Sequence, residues 1–264
     1  MPWRDSPRAK VAVHRFEMPG AIESREFEGL DVLIHGALVE YGPAHRDADA
    51  TNRAGAERVI EIARRHGIRV IFLSTLSAHA DARSHYGRNK LELERLFDPD
   101  RDCILRLGLV LGQGGLFGNM VGMIRSASFI PLPDGGKQPI QTLWMEDLLD
   151  VFERVATRGI AGGYALATAE VTTMRELYET VIAGLGVKRT LVPVPLALVG
   201  AGVAVLEALR IPFGINSENV LGIKCLRAYD LALDLAALGI TPLPLRESVA
   251  RLLTMESDRK RERA

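Results

Sequence analysis

Between Gly67 and Leu76 the chain reads Ile68-Arg-Val-Ile-Phe-Leu-Ser-Thr75, a mostly apolar run that ends in two hydroxyls. A short apolar run of this kind, bounded by a glycine and rich in β-branched and aromatic residues, predicts a buried strand. Strands buried on both faces are typical of parallel sheets. The two hydroxyls are therefore expected at the carboxyl end of a strand, where open parallel sheets bind ligands.

The sequence on either side of this strand alternates between strand and helix patterns. Strand-like runs occur at Asp31–His35 and Cys103–Leu107, and apolar residues follow a helical spacing over 51–66 and 86–97. Gly163–Ala167 is a further strand candidate. This order predicts an α/β fold, with a Rossmann-like, doubly wound parallel sheet.

The second half of the chain has a different pattern. We expect a sheet domain over 1–168, a smaller and mainly helical lobe over 169–255, and a charged, solvated tail over 256–264. Within the lobe, Thr173 begins a helix with Glu176 three residues later, the spacing of a capping box.

The most apolar stretch of the chain is 191–206, which contains no charged residue. It is shorter than the ~20 residues that a membrane-spanning helix needs. It therefore predicts a buried helix, with contact to a membrane surface as the alternative.

Composition excludes several classes of function. Lys+Arg and Asp+Glu are both 33, which argues against nucleic acid as a partner because phosphate binding requires a basic surface. Cys103 and Cys225 are the only cysteines, and no histidine pair has a metal spacing, so we expect neither disulfides nor a metal site. A cytoplasmic location follows as an expectation, without a signal peptide or transmembrane segment.

Tyr86 and Lys90 carry the most informative chemistry. Residues four apart on a helix share one face, and a cation beside a phenol favours the phenolate. Such a tyrosine can exchange a proton with a carbonyl or hydroxyl near neutral pH, and the nearby Thr75 could orient the reacting oxygen. Taken alone, the spacing also fits an ordinary surface pair.

Five short motifs follow one another along the chain. They are Asp31-Val-Leu-Ile-His-Gly-Ala37, Asn52 with Gly55, Phe72-Leu-Ser-Thr75, Tyr86-Gly-Arg-Asn-Lys90 and Leu105-Arg-Leu-Gly-Leu-Val-Leu-Gly112. As a set, over about residues 10–170, they closely resemble the extended short-chain dehydrogenase/reductase family, also called the NAD-dependent epimerase/dehydratase family. The resemblance implies NAD or NADP as cofactor and hydride transfer at a carbonyl or secondary hydroxyl.

The resemblance also implies roles at matching positions. Thr75 would orient the substrate, Tyr86 would be the acid/base, and Lys90 would tune Tyr86 and hold the nicotinamide ribose. The implied cofactor-binding residues are Gly36, Ala37, Leu38, Asn52, Ser74, Tyr86, Lys90, Leu107 and Gly108. Leu107 replaces the family's usual proline, and a helix-start cap is the alternative role for Asn52.

The glycine-rich turn that begins this family's fold has no counterpart early in the sequence. Residues 1–30 contain only Gly20 and Gly29, and Lys10–Glu17 matches the family's third strand. A match at Gly112–Gly118 is interpreted as a loop near the substrate, with a relocated phosphate-binding turn as the alternative. We therefore expect a truncated fold with weakened cofactor binding, and a homodimer as one way to cover the exposed sheet edge.

The C-terminal part has a looser resemblance of its own. Residues 211–222 and 238–242 are similar to an atypical branch that includes the dehydrogenase-like accessory subunit of respiratory complex I. The leading hypothesis is an NAD(P)-dependent enzyme with an unidentified small-molecule substrate. A non-catalytic relative that binds a partner, or an inactive truncated product, is the alternative.

Overall fold

A four-stranded parallel sheet forms the centre of the protein. In the computed structural model the described residues are 16–19, 24–41, 47–208 and 217–262. The strands lie in the order β1 (Val32–His35), β2 (Arg69–Thr75), β3 (Cys103–Leu107) and β8 (Gly162–Leu166). All three pairings are parallel, so the predicted α/β fold with a parallel sheet is confirmed.

Helices cover both faces of this sheet. Helices α1 (Ala48–Arg65) and α2 (His85–Glu94) pack on one face, and α4 (Met145–Arg158) and α8 (Ala232–Leu238) pack on the other. Successive strand residues point to opposite faces, so on β2 Phe72 enters the first core and Ile71 enters the second. This double burial explains why β2 has almost no polar residue before its end.

The remaining elements form a second layer beside the sheet. They are β4 (Leu109–Leu111), α3 (Gly115–Ser126), β5 (Phe129–Pro133), β6 (Pro139–Ile140), β7 (Thr142–Trp144), β9 (Thr172–Thr173), α5 (Met174–Gly184), β10 (Thr190–Val194), α6 (Leu196–Ala208), α7 (Ser217–Ile223) and α9 (Leu245–Glu262). Helices α3, α5 and α9 share one apolar core, and β5 pairs with β10. The lobe thus draws on segments before residue 168, and the domain boundaries remain a prediction.

Several sequence expectations about this second layer need correction. The stretch 191–206 is not a buried helix: it begins in β10 and continues in α6, where Leu198 is 63% and Val205 57% exposed. The charged tail begins inside a helix, because α9 continues to Glu262. The capping box of Thr173 and Glu176 at the start of α5 is confirmed.

The glycine-rich match at Gly112–Gly118 is also different from the expected loop. It follows β4 and begins α3, whose first residue Gly115 has a φ of 60°, a value that favours glycine. However, β4 pairs with β7 in a separate two-stranded sheet, away from the four parallel strands. The match therefore does not have the strand neighbours of the family's dinucleotide turn.

Other expectations lie at or beyond the limits of the described residues. The run Lys10–Glu17 falls outside them except for its last two residues, and 211–216 falls outside them entirely. Within the described part of the chain, β1 is the end strand of its sheet, and its Ile34 is 45% exposed. No helix in the described residues has the length and apolar character needed to cross a membrane.

Candidate active site

The hydroxyls of Thr75 and Tyr86 lie together at the carboxyl edge of the sheet. Thr75 ends β2, and its hydroxyl hydrogen-bonds the phenol of Tyr86, the second residue of α2. The Thr75 oxygen also accepts the backbone N–H of Ser77 at 3.2 Å, so its proton is free for Tyr86. The structure thus brings these two candidate site residues together.

The start of α2 explains how Tyr86 reaches this position. Ser84 caps the helix by accepting the N–H of Gly87 at 3.1 Å. A Cβ at Gly87 would lie 2.5 Å from the carbonyl oxygen of Ser77, in the loop that follows β2. Glycine at this position therefore lets the helix start pack tightly against the loop and brings Tyr86 to the end of β2.

The environment of Tyr86 differs from the one expected for a phenolate. Burial raises its pKa above the usual 10.0, and the hydrogen bond from Thr75 opposes this effect. The charge of Lys90 is not among the causes of the shift. In this structure the phenol is therefore protonated at neutral pH, and it is suited to donate a proton first.

Lys90 is buried beside the strands. It is 3% exposed, its ammonium donates to the carbonyl oxygen of Leu73 at 2.6 Å, and it lies 4.6 Å from the ring centre of Phe72. Burial lowers its pKa to about 8, and the charge of Glu94 opposes the shift. Lys90 thus contributes a buried positive charge, and its ammonium is directed to Leu73 and Phe72 and not to Tyr86.

His35 is the second buried base in this region. It ends β1, stacks on Phe72 with ring centres 5.7 Å apart, and is 4% exposed. Burial, with a smaller effect from the charge of Lys90, lowers its pKa to about 4. His35 is therefore neutral at physiological pH.

Ser74 belongs to a network that the sequence analysis missed. Its hydroxyl donates to Glu94, and Glu94 also accepts from Arg106 Nε at 2.9 Å and 3.1 Å. Ser74 and Arg106 face each other in the register of β2 and β3. The signal for Glu94 was available, because it follows Lys90 by four residues on the same helix face.

Asn52 is neither a helix cap nor an open ligand group in this structure. It is the fifth residue of α1, whose N-cap is Asp47. Its amide accepts the N–H of Val39 at 2.7 Å and donates to the carbonyl oxygen of Val39 at 3.1 Å and to the Tyr41 hydroxyl at 3.3 Å. Asn52 therefore fastens the segment that follows β1.

The remaining predicted cofactor residues lie at the ends of β1 and β3. Gly36, Ala37 and Leu38 continue directly from β1, and Gly36 is exposed, with its Cβ position 3.0 Å from Leu73 Cδ1. A Cβ on Gly108 would clash with the carbonyl oxygen of Gln141 and lie 2.6 Å from Ala167 Cβ. Gly108 is therefore explained by packing, and Leu107 ends β3 next to it.

A C-terminal segment closes over the loop after β2. The Tyr229 hydroxyl donates to the carbonyl oxygen of Leu76 at 2.5 Å, and Arg227 pairs with Asp81 at 3.4 Å. His79 is 7% exposed and contacts the carbonyl oxygen of Cys225 at 3.3 Å. These contacts connect the lobe to the site, and the helical pattern of the sequence did not reveal them.

Asp147, in the first turn of α4, binds the segment before α9. The N-cap is Trp144, and Asp147 Oδ2 accepts the N–H of Leu243 at 2.7 Å. Burial raises the pKa of this carboxyl group, while the bond from Leu243 lowers it. Asp147 therefore fastens the segment before α9 to α4.

The residues present fit the nicotinamide end of a dinucleotide in part. The Thr75 and Tyr86 hydroxyls lie at the carboxyl edge of the sheet, and the exposed Gly36 directly follows β1 at the same edge, where a glycine permits close backbone approach. Lys90, in contrast, has its ammonium turned toward Leu73, so it would have to move to hold a ribose.

Comparisons with known proteins identify the fold. No protein-family model and no curated protein sequence matches the chain. Human epimerase family protein SDR39U1 (isoform 2), solved with NADPH, matches with a TM-score of 0.72 and 15% identity, over 91% of this chain and 89% of that chain. UDP-glucose 4-epimerase from Bifidobacterium longum, in complex with NAD+ and UDP, matches with a TM-score of 0.66 and 14% identity, over 89% and 79%.

A third structure widens the same group. The NAD-dependent NDP-hexosamine 5,6-dehydratase TunA, involved in tunicamycin biosynthesis, matches with a TM-score of 0.65 and 16% identity, over 90% of this chain and 80% of that chain. The chain therefore has the Rossmann-like fold of nicotinamide-dependent epimerases and dehydratases. The resemblance found in the sequence is confirmed at the level of the fold.

Proposed function

We propose that this protein is an NAD(P)-dependent oxidoreductase, or an epimerase or dehydratase, that acts on a carbonyl or secondary hydroxyl group. The observation that carries the proposal is the hydrogen-bonded pair of Thr75 and Tyr86 at the carboxyl edge of β2. The epimerases and dehydratases of the same fold favour a nucleotide-linked sugar as the first substrate class to test.

The residues divide the chemistry in a defined way. A bound nicotinamide would supply the hydride acceptor or donor. In the reductive direction, Tyr86 donates its phenolic proton to the carbonyl oxygen, and Thr75 donates a hydrogen bond that orients this oxygen. In the oxidative direction, the Tyr86 phenolate would accept the hydroxyl proton, and Lys90 would stabilise that phenolate once its ammonium is released from Leu73.

The cofactor would lie along the ends of three strands. We assign Gly36, Ala37 and Leu38 to the approach from β1, Ser74 to the strand beside the nicotinamide, and Leu107 with Gly108 to its flank. Asn52 supports the first of these segments through its two bonds to Val39. Lys90 would hold the ribose after its bond to Leu73 is released.

A second candidate is a non-catalytic protein that binds a partner. It is favoured by the internal partners of the expected site groups: Lys90 is bound to Leu73, Ser74 to Glu94, and Asn52 to Val39. In such a protein these polar residues would serve packing, and the raised pKa of Tyr86 would have no catalytic consequence.

Cofactor titration separates the two candidates. We expect NADH or NADPH fluorescence to saturate on titration with the folded chain, and reduction of a nucleotide-sugar ketone to follow. Tyr86→Phe should lower turnover by ~10²–10⁴-fold, because it removes the proton donor, and leave cofactor binding nearly unchanged.

Tyr164→Phe is the matched control, since Tyr164 lies in β8 and donates to the carbonyl oxygen of Ala161, before the start of that strand and away from the carboxyl edge. Absence of binding at millimolar cofactor in a folded sample would overturn the enzyme proposal and favour the partner-binding candidate.

A further inference from the structure

Helix α2 contacts β2 through polar groups that recur every fourth residue. Residues at positions i, i+4 and i+8 of a helix lie close to one line along its surface. The three contacts join Tyr86 to Thr75, Lys90 to the carbonyl oxygen of Leu73, and Glu94 to Ser74. Together these three contacts fix the register of α2 along β2.

Glu94 is the best-anchored member of this row. It is 6% exposed, and both carboxylate oxygens accept from Arg106 on β3, which forms a fork of charge-assisted hydrogen bonds. Ser74 donates to the same carboxylate from the neighbouring strand. Glu94 thus connects α2 to two strands at once, whereas the other two contacts reach only β2.

We propose that Glu94 is a positioning residue: held by Arg106, it sets the register of α2 on β2 and thereby places Tyr86 against Thr75 and keeps Lys90 beneath the site. Its effect on catalysis rests on the proposed function, while its effect on the geometry and charge of the row does not.

The surroundings of Lys90 give Glu94 a second effect. Burial disfavours the ammonium, and the carboxylate of Glu94 favours it. The charge of Lys90 also acts on His35, which is neutral because burial lowers its pKa to about 4. Among the charged groups that influence Lys90, Glu94 is thus the one that helps to retain its proton.

The test measures the titration of Lys90 by NMR, using lysine labelled with ¹³C at Cε. Signals of the other lysines, at positions 10, 137, 188, 224 and 260, are internal references, and a Lys90→Met spectrum assigns the signal of interest. In the wild type we expect a midpoint of about 8. Glu94→Gln removes the charge at nearly constant volume and should shift this midpoint to lower pH.

Glu92→Gln is the matched control, because Glu92 lies on the same helix but is exposed. It should leave the Lys90 midpoint unchanged. An equal midpoint in the wild type and in folded Glu94→Gln would overturn the proposal.

If Glu94→Gln does not fold, Glu94→Asp takes its place. It retains the charge but shortens the side chain, so one carboxylate can no longer reach Ser74 and Arg106 together. We expect the Lys90 midpoint to stay close to that of the wild type while kcat falls by ~10–100-fold at similar KM, since Tyr86 is displaced. Unchanged kcat would contradict a positioning role.

Titration of the same samples with NADH and with NADPH separates the two proposals. A shifted Lys90 midpoint in a protein that binds neither cofactor would support the role of Glu94 and overturn the proposed function. Binding of either cofactor with an unshifted midpoint in Glu94→Gln would support the proposed function and overturn the role of Glu94.

Discussion

Glu94 and Asp102 are both buried carboxylates paired with an arginine, but they lie at opposite ends of the same sheet. Glu94 pairs with Arg106 near the carboxyl edge, and Asp102 pairs with Arg64 at the amino edge, directly before β3. In both pairs the carboxylate is buried. The two pairs differ in the other groups that the carboxylate binds.

Asp102 holds backbone. Its oxygens accept the N–H of Val70 at 3.1 Å and of Asp98 at 3.0 Å, and its side chain is fully buried. It therefore ties the start of β2 to the turn before β3. Backbone groups cannot be exchanged by substitution, so this site has little freedom to vary without loss of the fold.

Glu94 holds side chains. Its partners Ser74 and Arg106 come from neighbouring strands, and Lys90 senses its charge. Such contacts can be removed one at a time while the strands stay paired. At the amino edge, the buried carboxylate stabilises the fold through backbone groups. At the carboxyl edge, the buried carboxylate binds side chains, and these can vary without loss of strand pairing.

The largest expected effect breaks the amino edge. Asp102→Ala leaves two backbone N–H groups and the Arg64 guanidinium without their partner, and we expect a loss of ~3–5 kcal/mol in the free energy of unfolding. Urea unfolding followed by circular dichroism measures it.

The exposed neighbour Asp100 provides the control, and Asp100→Ala should change stability by less than ~0.5 kcal/mol. A loss below ~1 kcal/mol for Asp102→Ala would mean that Asp102 contributes no more to stability than a surface ion pair. The proposed difference between the amino edge and the carboxyl edge would then be wrong.

The second effect tests the carboxyl edge through pH. Because the pKa of His35 is lowered from 6.5 to about 4, the unfolded chain binds a proton that the folded chain does not bind between these values. Stability should therefore fall as pH decreases from about 6.5 to about 4, by ~3 kcal/mol in total from this group. His35→Phe keeps the ring against Phe72 and should remove this part of the acid-induced loss.

Urea midpoints at several pH values give the measurement. His66 lies at the opposite edge, at the end of α1, where it is exposed and hydrogen-bonded to Ser24 at 2.8 Å. His66→Gln is therefore the control for replacing a histidine away from the carboxyl edge. If His35→Phe and the wild type lose stability in parallel between pH 6.5 and 4, burial of the imidazole is not what limits acid stability.

The sequence predicted the centre of the sheet well because β2 and the first part of β3 are buried on both faces. The run Cys103–Leu107 was placed without error, since double burial leaves a continuous apolar pattern between polar turns. Thr75 was placed at the carboxyl end of its strand, and Tyr86 lies against it because α2 begins in the segment that follows this strand.

The partners of the site residues could not be predicted from local patterns. In the sequence, nothing distinguishes Glu94 from the other charged residues of its helix. Its partners Ser74 and Arg106 come together only through the register of β2 with β3. Lys90 was expected to face Tyr86, but its long side chain reaches the strand instead. Strand β10 was missed because its pairing with β5 joins residues about 60 positions apart.

The smallest expected effect sharpens the comparison. Ser74→Ala removes one neutral donor, and Arg106 still satisfies the Glu94 carboxylate, so we expect a loss of only ~1 kcal/mol in the free energy of unfolding. After Glu94→Gln, the same substitution should cost less, because the acceptor is no longer charged. Urea unfolding of both single variants and the double variant gives the coupling energy, which we expect at ~0.5–1 kcal/mol. Strict additivity would mean that Ser74 and Glu94 act independently, and the carboxyl edge would then lack the connected side-chain network that distinguishes it from Asp102.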